Sequence, residues 1–197
     1  MSQTRTSHRD RLLQALANVI AREGYANTRV ADVAREARVS LRTFYEEFDS
    51  KESGFLALHA MLTDAVASSL EDSANFDQPW RAAIREGFDT YFRLLVAQPK
   101  LTTAIMIELT TLSPEAYEAR EYARERFTTV MSNLVERGRE ANPEIPSRPL
   151  TPLMARCILG GLLELVTTEV VDEGVDHLPE FVDTCTDLLW SVVTTVE

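Results

Sequence analysis

The residues with the most specific chemistry lie close together. Leu41, Arg42, Thr43 and Tyr45 fall within five positions, directly after Ser40. Arg42 can present two parallel N–H donors to guanine O6 and N7, a contact worth about 1–3 kcal/mol of discrimination between bases. Thr43 can meet a base edge or a thymine methyl group. No comparable set points to catalysis. His8, His59 and His177 are scattered, and none has metal-ligand spacing to another His or a Cys. Cys157 and Cys185 sit at apolar helical positions, as inert core thiols do. There is no glycine-rich phosphate loop and no GxSxG elbow. Carboxylate pairs such as Glu71-Asp72 and Asp172-Glu173 read as ordinary helix-end charges. An enzyme is therefore not expected, nor is a cofactor or a metal.

Side chains reach a base edge only from an element that is itself held. Ser40 can cap a short helix carrying Leu41, Phe44, Tyr45 and Phe48. Thr28 can cap the one before it, with Val30, Val33, Ala34 and Ala37 turned inward. Ala34 is small where the two would cross, and Val39 and Phe44 would seal the joint. Two short helices joined this way make a helix-turn-helix, whose second helix offers its N-terminal end to a DNA groove. Ahead of them Leu12, Leu16, Val19 and Ile20 repeat at helical spacing, with Ser7 as N-cap and Gly24 as stop. After them Ser50 opens a helix from about Lys51 to Glu71, about 30 Å long. Pro79, Pro99, Pro114 and Pro179 mark later helix starts, and Gly138 and Gly174 mark ends. Four prolines crowd the loop at residues 142–152. No run alternates as a strand does, so the fold is expected to be all-α.

The chain has 197 residues, of which 45% are hydrophobic, enough to bury a sizeable core and to exclude disorder. Two cysteines exclude a disulfide scaffold. No apolar run approaches about 18 residues, and the polar start is no signal peptide, so a cytoplasmic protein with no membrane partner is expected. The net charge of −11 argues at first against a nucleic-acid partner. Its distribution reverses that. Residues 1–50 hold eight Arg against seven Asp and Glu, whereas residues 51–197 hold 12 Lys and Arg against 24 Asp and Glu. The acidity belongs to the later body.

An ordered set of features carries a resemblance. An amphipathic first helix ends at Gly24-Tyr25. Thr28 follows, then Val33-Ala34-Arg35-Glu36-Ala37, Val39-Ser40, Thr43-Phe44-Tyr45 with Phe48, and Ser50-Lys51-Glu52. In this order and spacing the chain resembles the tetracycline-repressor (TetR) family of bacterial transcriptional regulators, over about Thr6 to Leu58. Beyond residue 60 the likeness is one of helix number and length. The resemblance implies about nine helices. An N-terminal three-helix helix-turn-helix DNA-binding domain would occupy residues 6–66, with the motif at about 29–48. A larger helical ligand-binding and dimerisation domain would occupy residues 67–197. It also implies a homodimer that binds a palindromic double-stranded DNA operator, commonly as a repressor, and is released by a small-molecule effector. Tyr45 and Lys51 resemble the family's phosphate clamps, and Thr28 and Ser40 are expected to cap helices and meet phosphate. Arg38 stands where the family usually has Gly in the turn and adds a cation there, and Leu41 completes the set. Arg5, Arg9 and Arg11 are further candidates for the DNA backbone. Glu46 and Glu47 depart from the family's pattern. They keep open an alternative, a helical ligand-binding or protein-interaction module with weak or lost DNA binding.

In the body, the bulky residues of the middle helices are the ligand candidates: Trp80, Phe88, Tyr91, Phe92, Met106, Phe127 and Met131. Glu108 is added as a carboxylate that could orient a cationic or hydroxylated ligand. The last two amphipathic stretches can pack inside one protomer or form half of an intersubunit four-helix bundle. For the second case the candidates are Ile158, Gly161, Leu162, Leu165, Leu188 and Val192. Gly160-Gly161 costs a helix roughly 1 kcal/mol per residue relative to Ala, which a close helix–helix approach would offset.

Overall fold

The computed structural model describes residues 7–194, so Arg5 and Thr6 lie outside the described residues. Among the described residues the chain forms nine α-helices and no strand: α1 (His8–Glu23), α2 (Val30–Glu36), α3 (Leu41–Glu47), α4 (Lys51–Ser73), α5 (Trp80–Val96), α6 (Pro99–Met106), α7 (Pro114–Ala141), α8 (Pro152–Asp172) and α9 (Val182–Thr194). Short 3-10 turns occupy Glu108–Thr111 and Leu178–Phe181. The all-helical expectation is met. No described helix is long and apolar enough to cross a membrane. The chain divides into two compact units. One takes in the chain up to Leu62 together with Gln98–Ala119, and the other takes in Thr63–Ala97 and Arg120 onward.

The first unit is built on α1. Ser7 and Asp10 form a capping box, Ser7 Oγ accepting from the Asp10 amide at 3.0 Å and Asp10 Oδ2 from the Ser7 amide at 3.2 Å. The helix buries Leu12, Leu16, Val19 and Ile20 on one face and stops at Gly24, whose φ of 82° suits glycine. Its C-terminal end also receives Lys100 of α6, Nζ donating to the Arg22 carbonyl at 2.6 Å. Phe44, Phe55 and Leu58 complete a core with the α1 stripe. Thr28 corrects an expectation. The N-cap of α2 is Arg29, which makes no side-chain cap. Thr28 is 3% exposed, and its hydroxyl donates to the Gly24 carbonyl at 2.7 Å. It braces the turn after α1 and offers nothing to a phosphate through its side chain.

In the second unit α5 packs along α9. Trp80 meets Trp190 edge-on with centroids 5.4 Å apart, Arg85 pairs with Asp183 at 2.8 Å, and Arg81 pairs with Asp187. Arg148, from the proline-rich loop, donates to the Val192 and Val193 carbonyls near the end of α9, at 2.7 and 2.9 Å. Gly174 ends α8 in the left-handed region as expected, with φ of 89°. Gly138 does not end α7, which runs on to Ala141. It is glycine because Trp80 lies against it, leaving no room for a Cβ.

The dimer candidates divide by burial. Ile158 and Leu162 are buried within the protomer, while Leu165 and Val192 are partly buried and Gly161 and Leu188 are exposed. The exposed stripe of α8 is offset from the expected one. It runs through Leu153, Cys157, Gly160, Gly161, Glu164, Thr168 and Val171. Nothing lies within 4 Å of a Cβ built at Gly160 or Gly161, so no close approach inside the protomer accounts for this pair.

Candidate DNA interface and apolar cavity

The recognition end of α3 is built as a small local lattice. Ser40 caps the helix, Oγ accepting from the Thr43 amide at 3.0 Å, and the Ser40 and Thr43 hydroxyls lie 2.9 Å apart. Phe44 is driven fully into the core, and the helical period then turns Leu41, Arg42 and Tyr45 to the outside. Phe44 packs edge-on to Tyr45 with centroids 5.5 Å apart and tilted against Phe48 at 5.4 Å, so the helix cannot roll without breaking that cluster. The Arg42 side chain is 88% exposed, and its Nε donates to Glu46 Oε1 at 2.9 Å, one turn along.

The turn that presents α3 is tight. The Val39 amide donates to the Ala34 carbonyl at 3.0 Å, with Ala34 buried at the crossing. Arg38 takes φ of 56°, the left-handed conformation expected where glycine would be usual, and its side chain is exposed. Arg9 is docked rather than free. Its guanidinium stacks on Phe48 at 4.6 Å and donates to the Glu47 carbonyl at 3.2 Å, capping the C-terminal end of α3. Arg11 is partly buried. Lys51 is also engaged within the protomer. Its Nζ donates to the Tyr25 carbonyl at 3.0 Å and lies 4.2 Å over the Tyr25 ring, which stacks on Phe55. Burial, then the carboxylates of Glu52 and Glu108, push the Tyr25 phenol up to about 12. Ser50 and Ser53 exchange amide-to-hydroxyl bonds at 3.0 Å each, fixing the start of α4.

The second unit contains a cavity of about 110 Å³, between the end of α4, the loop before α5, and helices α5, α7, α8 and α9. Five of the eight ligand candidates line it: Trp80, Phe88, Tyr91, Phe127 and Met131. Phe92 is buried in the core of the same helix but is not part of the wall. Met106 and Glu108 belong to the first unit and are not among the residues that line the cavity. Periodicity overlooked Leu70, Phe76 and Gly87: Phe76 stands in a loop, and Gly87 contributes space instead of a side chain. Every lining residue is uncharged, and Ser73 and Tyr91 carry the hydroxyls.

A short capped helix with an exposed basic end, set by a tight turn on a second short helix, is a helix-turn-helix, the arrangement used by DNA-binding regulators. Residues 12–58 match the family model of bacterial regulatory proteins of the tetR family. That match places the N-terminal helices of this chain, residues 12–58, with the DNA-binding domain of those regulators. Over 180 residues the chain is 22% identical to the fatty acid metabolism regulator protein of Bacillus subtilis (strain 168), covering 91% of this chain and 92% of that one. Among the solved structures that share the fold are two FadR proteins. FadR from Bacillus subtilis in complex with stearoyl-CoA gives a TM-score of 0.72 at 22% identity, over 91% of this chain and 96% of that chain. The fatty acid degradation regulator FadR from Bacillus halodurans gives 0.73 at 23% identity, over 95% and 96%.

Proposed function

We propose that the protein is a homodimeric repressor that binds a palindromic operator through α3 and leaves it when an amphiphile with a long apolar chain, of the acyl-CoA class, enters the cavity of the second unit. The observation that carries the DNA side is the division of α3, with Phe44 locked in the core and Leu41, Arg42 and Tyr45 exposed beside the Ser40 cap. Arg42 reads a guanine, Thr43 a neighbouring base edge, and Ser40, Tyr45, Lys51 and Arg38 serve the phosphates. The charge-free wall of the cavity and the stearoyl-CoA bound by a protein of the same fold support the ligand class. A cavity near 110 Å³ is smaller than a long acyl chain needs. Such a ligand therefore favours a widened state, and operator affinity falls by its differential affinity for the two states.

A palindrome needs two recognition helices about 34 Å apart, hence a dimer. The exposed stripe of α8 supports one, with Leu153 72% and Val171 64% exposed and a glycine pair between them that a second helix can approach closely. Leu188 of α9 is exposed as well.

Footprinting on the DNA upstream of the protein's own gene, followed by stearoyl-CoA titration, tests the whole reading. A two-fold symmetric protected site that is lost on adding stearoyl-CoA is expected. No protection at low salt by folded protein overturns the repressor. Protection that stearoyl-CoA leaves unchanged overturns the ligand class. Sedimentation of Leu153→Glu should show monomers, and an unchanged dimer would place the interface elsewhere.

A further inference from the structure

Tyr91 is out of keeping with the cavity it lines. Its ring is clamped by Phe92 and Phe127, with centroids at 5.6 and 6.3 Å, and the residue is only 8% exposed. The other hydroxyl in the wall, that of Ser73, is spent on the Leu70 carbonyl at 3.3 Å. The Tyr91 hydroxyl makes no hydrogen bond to any described residue, nor is it among the fully occluded atoms left without a partner. The hydroxyl therefore keeps a face open to water or to a ligand, and a ligand acceptor that takes the water's place completes its hydrogen bonding in an otherwise apolar wall.

The chemistry of the missing partner is constrained. Burial, with the Cys185 thiol adding to it, pushes the Tyr91 phenol far above its ordinary value, so the group remains an O–H donor. No Lys, Arg or His lines the cavity to accompany an anion, and an unpaired carboxylate there would be strongly disfavoured. The partner is therefore a neutral acceptor. On the basis of the acyl ligand proposed above, we infer that Tyr91 is the polar anchor of the cavity, donating to the carbonyl oxygen of an ester or thioester whose chain fills the apolar wall. The site then takes conjugated acyl groups in preference to free fatty acids or plain hydrocarbons.

A matched pair of probes isolates that one oxygen. Stearoyl-CoA carries the thioester carbonyl, and S-octadecyl-CoA is the thioether without it. Calorimetric titration of the wild-type dimer is expected to show roughly fivefold to tenfold tighter binding of the thioester. Tyr91→Phe keeps the ring and should erase that preference, leaving thioether affinity within about twofold of wild type. Equal binding of the two probes by wild type overturns the anchor without recourse to any variant. So does a preference that survives Tyr91→Phe, and in both cases the acyl class stands. Binding of neither probe overturns the acyl class itself, and the anchor with it.

Discussion

Arg42 and Glu46 are joined on the outer face of the recognition helix, Nε to Oε1 at 2.9 Å. This pair gives Glu46, one of two acidic residues on this helix, a partner on its own element. Glu46 engages Nε and leaves the two terminal nitrogens of Arg42 as a free fork. It also repels phosphate, which would otherwise attract the same guanidinium. An exposed pair of this spacing adds only about 0.3–0.5 kcal/mol to the helix, so on the proposed DNA-binding reading its main effect is on selectivity. Glu46→Gln is expected to raise affinity for random DNA severalfold, steepen the salt dependence by about one unit of slope, and weaken discrimination at the guanine read by Arg42. Fluorescence anisotropy over a salt series, with operator and scrambled duplexes, measures all three. An unchanged ratio of specific to random binding would remove Glu46 from the recognition surface.

Trp80 and Gly138 predict a steric effect. A methyl group at 138 would overlap the indole, which is itself wedged between α7 and Trp190. Gly138→Ala should destabilise the protein by about 1–3 kcal/mol, against the helix-propensity gain that glycine replacement usually brings. Thermal unfolding should show a fall of several degrees. A rise would mean that the indole yields freely.

Gly87 predicts the reverse. It lines the cavity, and a Cβ there meets nothing within 4 Å. Gly87→Ala should stabilise α5 by about 0.5–1 kcal/mol. Gly87→Leu should keep the fold but lower stearoyl-CoA affinity at least about tenfold by filling the cavity. Undiminished affinity in the leucine variant would send the ligand elsewhere.

Arg38 stands at φ of 56° without glycine's freedom. Arg38→Gly should gain up to about 1 kcal/mol by relieving the left-handed strain, partly offset by the looser unfolded chain. If the arginine also serves phosphate, operator binding weakens while stability rises. Chemical denaturation and anisotropy on one preparation separate the two effects, and a loss of stability would show that the side chain supports the turn.

Local signals were legible in the sequence because the atoms that satisfy them are a few residues apart. Ser7, Ser40 and Pro114 mark helix starts that depend on nothing distant. The exposed face of α3 was legible too, since Phe44 fixes inside and the helical period fixes outside. What failed depends on contacts far along the chain. Thr28 has the right type for a cap, but the fold buries it beneath the turn after α1. Gly138 resembles a stop because glycine is used both to end helices and to admit a neighbour, and the neighbour is 58 positions away in Trp80. Ile158 and Leu162 belong to an apolar stripe wide enough to serve two surfaces, and periodicity does not say which edge faces inward. Lys51 was readable as a cation near a helix start, but not as one held by Tyr25 across the first unit.

The exposed glycines of α8 carry a practical consequence. In a lone protomer, alanine at 160 and 161 would fit without a single displaced atom and would stiffen the helix. In the dimer proposed above, heat resistance and assembly therefore pull in opposite directions at these two positions. On that reading a laboratory selection for thermotolerant variants, blind to DNA binding, would enrich alanine there and collect sturdy single subunits.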